Sequence, residues 1–398
     1  MLIEIHILQN HAPSNLNRDD TGSPKDCIFG GFRRSRISSQ CIKRSIRRSS
    51  VFEEEIKGME MGIRTVMLPS IVKDALVKAG IDEKLASIAA KKISEFGKKE
   101  KKESSGEEDE STKEKRLTTK QIMFFSPQDI DAVIEVLKEE IKAQKTAENL
   151  SKVKTTDLQT KIQKKGVRPI SPDIALFGRM TTSEAFEDVD ASIQVAHAIS
   201  TNKMEHEFDF FTAVDDKKQK GEEMEEKGAS MIGDVEFNSS CYYKYFSLDV
   251  DGFLSNMTRT DSEDPEKAKQ FLLKTIKAFL KAAIYTTPTG KQNTFAAHQL
   301  PDGILVEVRP KKVPVSYANA FLNPCVPSKG KDLMEVSLER FSDHVNLITK
   351  KFSLESIARL WFTTKEKDGN PVVTIENATT CNTIDDLLKQ LVSTVESI

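Results

Sequence analysis

At 398 residues the chain is longer than one core usually serves, so a large core with insertions and a division into two or three lobes both remain open. Lys and Arg number 59 against 61 Asp and Glu, a formal net charge of −2, which excludes coating of nucleic acid by bulk positive charge and requires any polyanion site to be local. Hydrophobic residues make up 38% and charged residues 30%, enough for a sizeable core under a heavily solvated exterior, and no apolar run reaches the length of a bilayer span.

Residues 2–8 alternate, with Ile3, Ile5 and Ile7 on one side and Glu4, His6 and Leu8 on the other, which predicts a half-buried first strand. That start carries Glu4 and His6 and no basic leader, so it is not read as a targeting segment, and the chain is expected in the cytoplasm with no membrane partner. The polar stretch NHAPSNLNRDDTGSPKD predicts an ordered loop, and CIFGGF a tight turn. Ser38 or Ser39 can cap a helix that runs to about Glu55 without Pro or Gly. Projected at 100° per residue, it places Cys41, Ile42, Ser45, Ile46, Ser49, Phe52 and Ile56 on a packing face and Gln40, Lys43, Arg44, Arg47 and Arg48 on a cationic one.

From about Pro69 to Ile199 the amphipathic pieces DALVKAG, LASIAAKKI, PQDIDAVIEVLKEEIKAQ and ASIQVAHAI predict a helical insertion. Inside it, 97–116 mixes both charges with almost no apolar residues and cannot offset its ordering entropy, so it is expected to be disordered. A second charged tract, 215–228, lies between FDFFTAV and VEFNSSCYYKYFSLDV, a pattern of two strands joined by a projecting loop. AKQFLLKTIKAFLKAAIY reads as a helix, GILVEVRP as a strand, and 333–349 and 383–397 as C-terminal helices. Outside the insertion the order is strand, helix, strand, strand, helix, strand, the split βαβ or ferredoxin-like arrangement of RNA-recognition domains within an α+β fold. Five scattered cysteines and six dispersed histidines give no redox or metal-ligand spacing, so reduced, mostly buried thiols, no structural metal and no cofactor are expected.

The run from Cys27 to Phe52 holds Arg33, Arg34, Arg36, Lys43, Arg44, Arg47 and Arg48 and no acidic residue. Basic side chains one helical turn apart stand about 5–6 Å from one another, close to the phosphate spacing of an extended strand, and the Ser38 end offers free N–H groups to a phosphate. Such contacts hold backbone and carry no sequence information. A solvated face balanced by acidic neighbours is an equal reading of the same charges. Lys291, Gln292 and Asn293 in the loop GKQNTF, and Asn15, Asn17 and Arg18 in the N-terminal loop, are suitable donors, but both loops are also rich in ordinary turn residues. Phe208, Phe210 and Phe211 beside Thr212, and Met180 in DIALFGRM, could meet bases; at strand spacing, and for a thioether, a place in the core is the commoner role.

Taken together, NHAPSNLNRDDTGSPKDCIFGGFRRSRISSQCIKRSIR resembles the N-terminal signature of the CasC-type backbone subunits of Cascade, the type I-E CRISPR interference complex. The resemblance continues, in order, through DIALFGRM, IQVAHAISTNKMEHEFDFFTAVDD and PTGKQNTFAAH, and so covers most of the chain. It implies a non-enzymatic, right-hand-shaped protein: a palm from 1–68 and 238–398, helical fingers from 69–203 and a thumb hairpin from 204–237. It also implies that copies of the chain stack along CRISPR guide RNA with other Cascade subunits, so that the guide pairs with target DNA.

By the same resemblance Gln40, Lys43, Arg44, Arg47 and the basic stretch hold the RNA backbone, while Met180, Phe211 and Thr212 sit where the guide is kinked. Phe32 departs from the family pattern, where a basic residue is common, which implies that one phosphate interaction is missing or replaced by stacking. Two other classes compete with the scaffold: a Mg-dependent RNA endonuclease using Asp19 or Asp20, and an adaptor whose basic helix meets an acidic protein.

Overall fold

The computed structural model describes residues 1–96, 117–166, 170–213, 231–259, 264–328 and 330–398. The expected disordered tract 97–116 and hairpin tip 215–228 therefore lie outside the described residues. The chain divides into two compact units, one of Met1–Ile56, Ile193–Asp249 and Leu273–Ile398, the other of Lys57–Ser192 and Val250–Leu272. The fold is mixed α+β.

Among the described residues, the first unit is built on a ten-stranded sheet. Strand β1 (Leu2–Ser14) lies between Gly303–Arg309 and the 19-residue strand Met231–Asp249, antiparallel to both, with Ile5 opposite Val306 on one side and Phe246 on the other. Beyond the long strand come Ala198–Ser200, then β3 (Phe32–Ile37) and β2 (Asp26–Phe29). Beyond Gly303–Arg309 come Ala358–Thr363 and Thr379–Thr380. The segment ASIQVAHAI, expected as helix, instead forms the short strands Ile193–Val195 and Ala198–Ser200. Its Ile193, Val195 and Ile199 pair across to Leu248, Phe246 and Tyr243, so sheet pairing overrides a periodicity too short to distinguish helix from strand.

The first strand is a second correction. Ile3, Ile5 and Ile7 are buried as expected, yet Glu4 and His6 on the opposite face are 0% and 1% exposed. Around β1 both faces of the sheet are covered. On the first, Phe246 meets Phe279 of the helix Pro265–Tyr285 edge to face at 5.2 Å. On the second, Leu8, Tyr243, Tyr245 and Trp361 pack with Tyr317, Phe321, Met334, Leu338 and Phe341 from the C-terminal segment and its helix Leu333–Phe352.

That second layer carries charge. Glu4 pairs with Arg309 at 2.5 Å, and Glu307 pairs with Arg309 at 2.7 Å and Arg359 at 2.8 Å, while the Tyr245 hydroxyl donates to Glu4 and that of Tyr317 to Glu307. Two carboxylates face two guanidiniums, so the cluster balances internally, as buried charges must. Burial pushes the Glu307 carboxyl up, but the hydrogen bond and charge of His6 and then the charges of Arg309 and Arg359 outweigh it and hold the group at about 2.

The second unit is mainly helical. Leu68–Lys78, Glu83–Ile93, Pro127–Gln144 and Thr155–Gln163 enclose a core that includes Phe96, Phe125, Val133, Leu137 and Phe186. Pro127–Gln144 begins with a capping box in which Ser126 and Asp129 bond each other's backbone N–H and ends at Lys145 in the left-handed region, so its limits match the amphipathic run. A pair of short strands, Ile63–Thr65 and Met123–Phe125, closes the unit. No described helix is long and apolar enough to cross a membrane.

Candidate nucleic-acid interface

The basic segment begins as a hairpin. β2 and β3 are joined at Gly30–Gly31, both at positive φ (60° and 83°), with Phe29 opposite Phe32. A Cβ on Gly30 would lie 2.0 Å from the carbonyl oxygen of Leu322, so the turn presses against the chain and admits no side chain there. From β3 the chain enters helix α1 (Ser39–Arg47). Ser38 caps it by accepting from Cys41 N–H at 3.3 Å, and Asn17 reaches from the N-terminal loop to accept from Ser38 N–H at 2.8 Å. The expected single helix to Glu55 is two: α2 (Ser50–Glu55) starts separately because Ser49 accepts from Phe52 N–H and donates to Ile46 O. A serine that can cap breaks a helix without Pro or Gly.

Ile42 and Ile46 bury the inner face of α1, and Phe52 and Ile56 continue it into the core. On the outer face Gln40, Arg44 and Arg48 are exposed, and Lys43 and Arg47 half-buried. Neither Lys43 nor Arg44 forms an ion pair among the described residues. Burial alone draws the Lys43 pKa down. There is no acidic residue in the first turn, and Arg44 and Arg47 stand in the last, where the helix dipole favours cations.

The other predicted residues divide. Arg33 is exposed but paired with Asp26; Arg36 is half-buried, donating to Asp26 O at 3.1 Å and standing 3.0 Å from His197 Nδ1. Arg34 is a correction: it is fully buried and donates to the carbonyls of Ser200, Thr201, Phe321 and Leu322 at 2.7–3.2 Å, so it braces the hairpin against the body and cannot meet a phosphate. Its neighbour Phe32 is partly exposed, with its ring centre 6.0 Å from the Arg34 guanidinium carbon. Asn15 is likewise a fold residue, wholly buried and donating to Gly22 O and Glu236 O. Arg18 is exposed.

The loop GKQNTF meets the N-terminal loop, since a Cβ on Gly290 would lie 2.4 Å from Leu16 O. Within it Gln292 is consumed internally, its amide donating to Pro288 O at 3.0 Å, and so is withdrawn from the donor set; Lys291, in the left-handed region (φ 51°), is half-buried, and Asn293 is exposed. Asp19 accepts from Thr21 N–H, Thr21 hydroxyl and Ser23 N–H at 2.8–3.0 Å, and the Thr21 bond first among these holds its pKa below the ordinary carboxylate value. That is a turn former's work.

The aromatic and thioether side chains depart from the core role expected from their spacing. Phe208, Phe210 and Phe211 lie on the strand Glu207–Ala213, which pairs with Met231–Asp249, and are 65%, 66% and 37% exposed. The Phe211 ring lies over Gly233, which has no side chain to displace it. The Thr212 side chain falls outside the described part of the molecule. Met180 is 90% exposed. Its place is set by its neighbour: Arg179 is buried in an ion pair with Asp129, and its backbone pairs with Val189, so the next side chain in this extended segment turns outward. Composition gave no sign of this, because the anchoring pair joins residues far apart in sequence.

A family model described as CT1975-like protein matches residues 3–390. Among solved structures, a chain of a "CRISPR RNA-guided surveillance complex, pre-nicking" is similar with a TM-score of 0.79 and 25% identity, over 99% of this chain and 100% of that one. A chain of another "CRISPR RNA-guided surveillance complex" shares the fold at a TM-score of 0.69 and 22% identity, over 99% of both chains. No match is found among curated proteins. By a family match that spans nearly the whole sequence, the chain belongs to the CT1975-like protein family.

Proposed function

We propose that the chain is a guide-RNA-binding backbone subunit of Cascade, CasC-type, which polymerises along the guide and presents it for pairing with target DNA. The observation that carries this reading is the outer face of α1, where Lys43 and Arg44 stand without carboxylate partners among the described residues, in a fold similar, end to end, to a chain of an RNA-guided surveillance complex. Arg18, Arg33, Arg36, Gln40, Arg47, Lys291 and Asn293 extend that surface, and Asn17 contributes by fixing the start of α1. Gly303–Arg309, β1, Met231–Asp249 and Ala198–Ser200 lie side by side and antiparallel, the order of an RNA-recognition-like palm. The helical unit is read as fingers carrying Met180, and the hairpin from Glu207 as the thumb carrying Phe211 and Thr212.

The chemistry is electrostatic. Guanidinium and ammonium groups hold sugar–phosphate, base edges stay free, and pairing supplies specificity. Exposed Met180 and Phe211 suit contact with base faces where the guide bends. The role is non-catalytic: Asp19 is occupied in its own turn, which disfavours the endonuclease alternative. Purification of the chain with a guide transcript tests the whole reading. Protected RNA of regular length supports it, whereas Mg-dependent cleavage abolished by Asp20→Ala overturns it.

A further inference from the structure

Behind α1 lies a charge that none of the proposed RNA contacts uses. Lys244, on the long strand, is 3% exposed, and its ammonium donates to the Gln9 side-chain carbonyl. It borders a small enclosed space with Ile37, Ile42, Ser45, Ile46 and Ala283, so it sits directly beneath the packing face of α1. The basic and neutral titratable groups on the elements around it include His11 and Tyr242 on the sheet, with His298 acting on His11, Lys43, Arg44 and Arg47 on α1, and Lys277, Lys281 and Tyr285 on the helix Pro265–Tyr285. The carboxylates of these elements are engaged elsewhere or distant along the chain: Glu4 pairs with Arg309, Glu236 with His206, Asp249 with Lys312 and Glu55 on α2 with Lys277 and Lys281, while Asp234 and Glu266 stand near the far ends of the long strand and the helix, and none pairs with Lys244 among the described residues. Burial draws the Lys244 pKa to about 8, and burial followed by the Lys244 charge draws that of His11 to about 3.

A buried cation with one neutral partner is costly, and folds that keep one usually compensate it. Within the described residues of the free chain nothing does. The outer side of α1 is where a polyanion is proposed to lie, one helix diameter away. We propose that Lys244 is an internal cation of the RNA site, compensated by the bound phosphates, so that RNA binding and retention of the Lys244 proton are linked. The inference rests on the proposed RNA role of α1. Phosphates about 10–12 Å from the ammonium, across a helix, raise its proton affinity about tenfold.

Two measurements test it, both with an oligoadenylate RNA, whose base does not titrate in alkali. Calorimetry at pH 8 in buffers of different ionisation enthalpy should show uptake of about 0.4 proton per bound subunit, from half to nine-tenths protonated for a tenfold rise. Binding by the native chain should weaken about fivefold more than that of Lys244→Met between pH 7 and pH 9, the variant retaining its fold by circular dichroism. RNA binding without proton uptake overturns the inference and leaves the RNA role intact. Absence of RNA binding overturns both.

Discussion

Replacing Lys43 and Arg44 together by Ala removes two α1 cations that have no carboxylate partner among the described residues, and the consequence is calculable. Each phosphate neutralised on a single strand contributes about 0.7 to the slope of log K against log salt, so losing two should flatten it by about 1.4. Referred to molar salt, that is about 25-fold weaker binding near 0.1 M and about fivefold near 0.3 M. Fluorescence anisotropy with two RNAs of unrelated sequence, across a salt series, measures slope and affinity together. The loss should be equal for both RNAs, since these side chains hold backbone. An unchanged slope, or a loss confined to one sequence, refutes the phosphate role of α1, and RNA binding with a flat salt response would favour the adaptor class.

Arg34→Ala should do the reverse: it removes the shared donor of four carbonyls, of which Thr201 O keeps Cys325 N–H while Ser200 O and Phe321 O lose a buried partner, and lowers stability by about 3–5 kcal/mol in denaturant titration, with the salt slope of any remaining folded protein unchanged. Glu307 gives a pH signature. Its folded pKa, about 2, lies below the ordinary 4.5, so its contribution, about 3 kcal/mol, is complete above 4.5 and is lost as pH falls through that window; a denaturation midpoint flat to the acid limit would contradict this. Met180→Ala, at a site 90% exposed, should leave the melting temperature within the equivalent of about 0.5 kcal/mol while altering the nuclease-protection pattern of bound guide RNA.

Long periodic elements were legible from the residues. The helix Pro127–Gln144 and the strand Gly303–Arg309 occur where their patterns place them, because each is long or strongly patterned enough to outweigh its surroundings. What failed was decided by distant partners. Ile193–Val195 is strand because Met231–Asp249 offers it an edge, and Glu4 and His6 are buried because a C-terminal layer some 300 residues away covers them. The candidate site shows the same division. The opposed faces of α1 follow from its 100° repeat, whereas Arg34, identical in type to Arg33 beside it, faces inward because β3 alternates and Ser200, Thr201, Phe321 and Leu322 supply carbonyls there.

The double roofing of the sheet reaches beyond stability. Proteins that identify RNA letters commonly spread bases over an open sheet and stack them on its aromatic residues. Here the rings that could do so, Tyr243 and Tyr245, are sealed under Tyr317 and Phe341, leaving cationic edges for contact with a polyanion. In the proposed role, a holder with its reading surface closed would be indifferent to the message it carries, so that one unaltered protein could serve guides of any sequence.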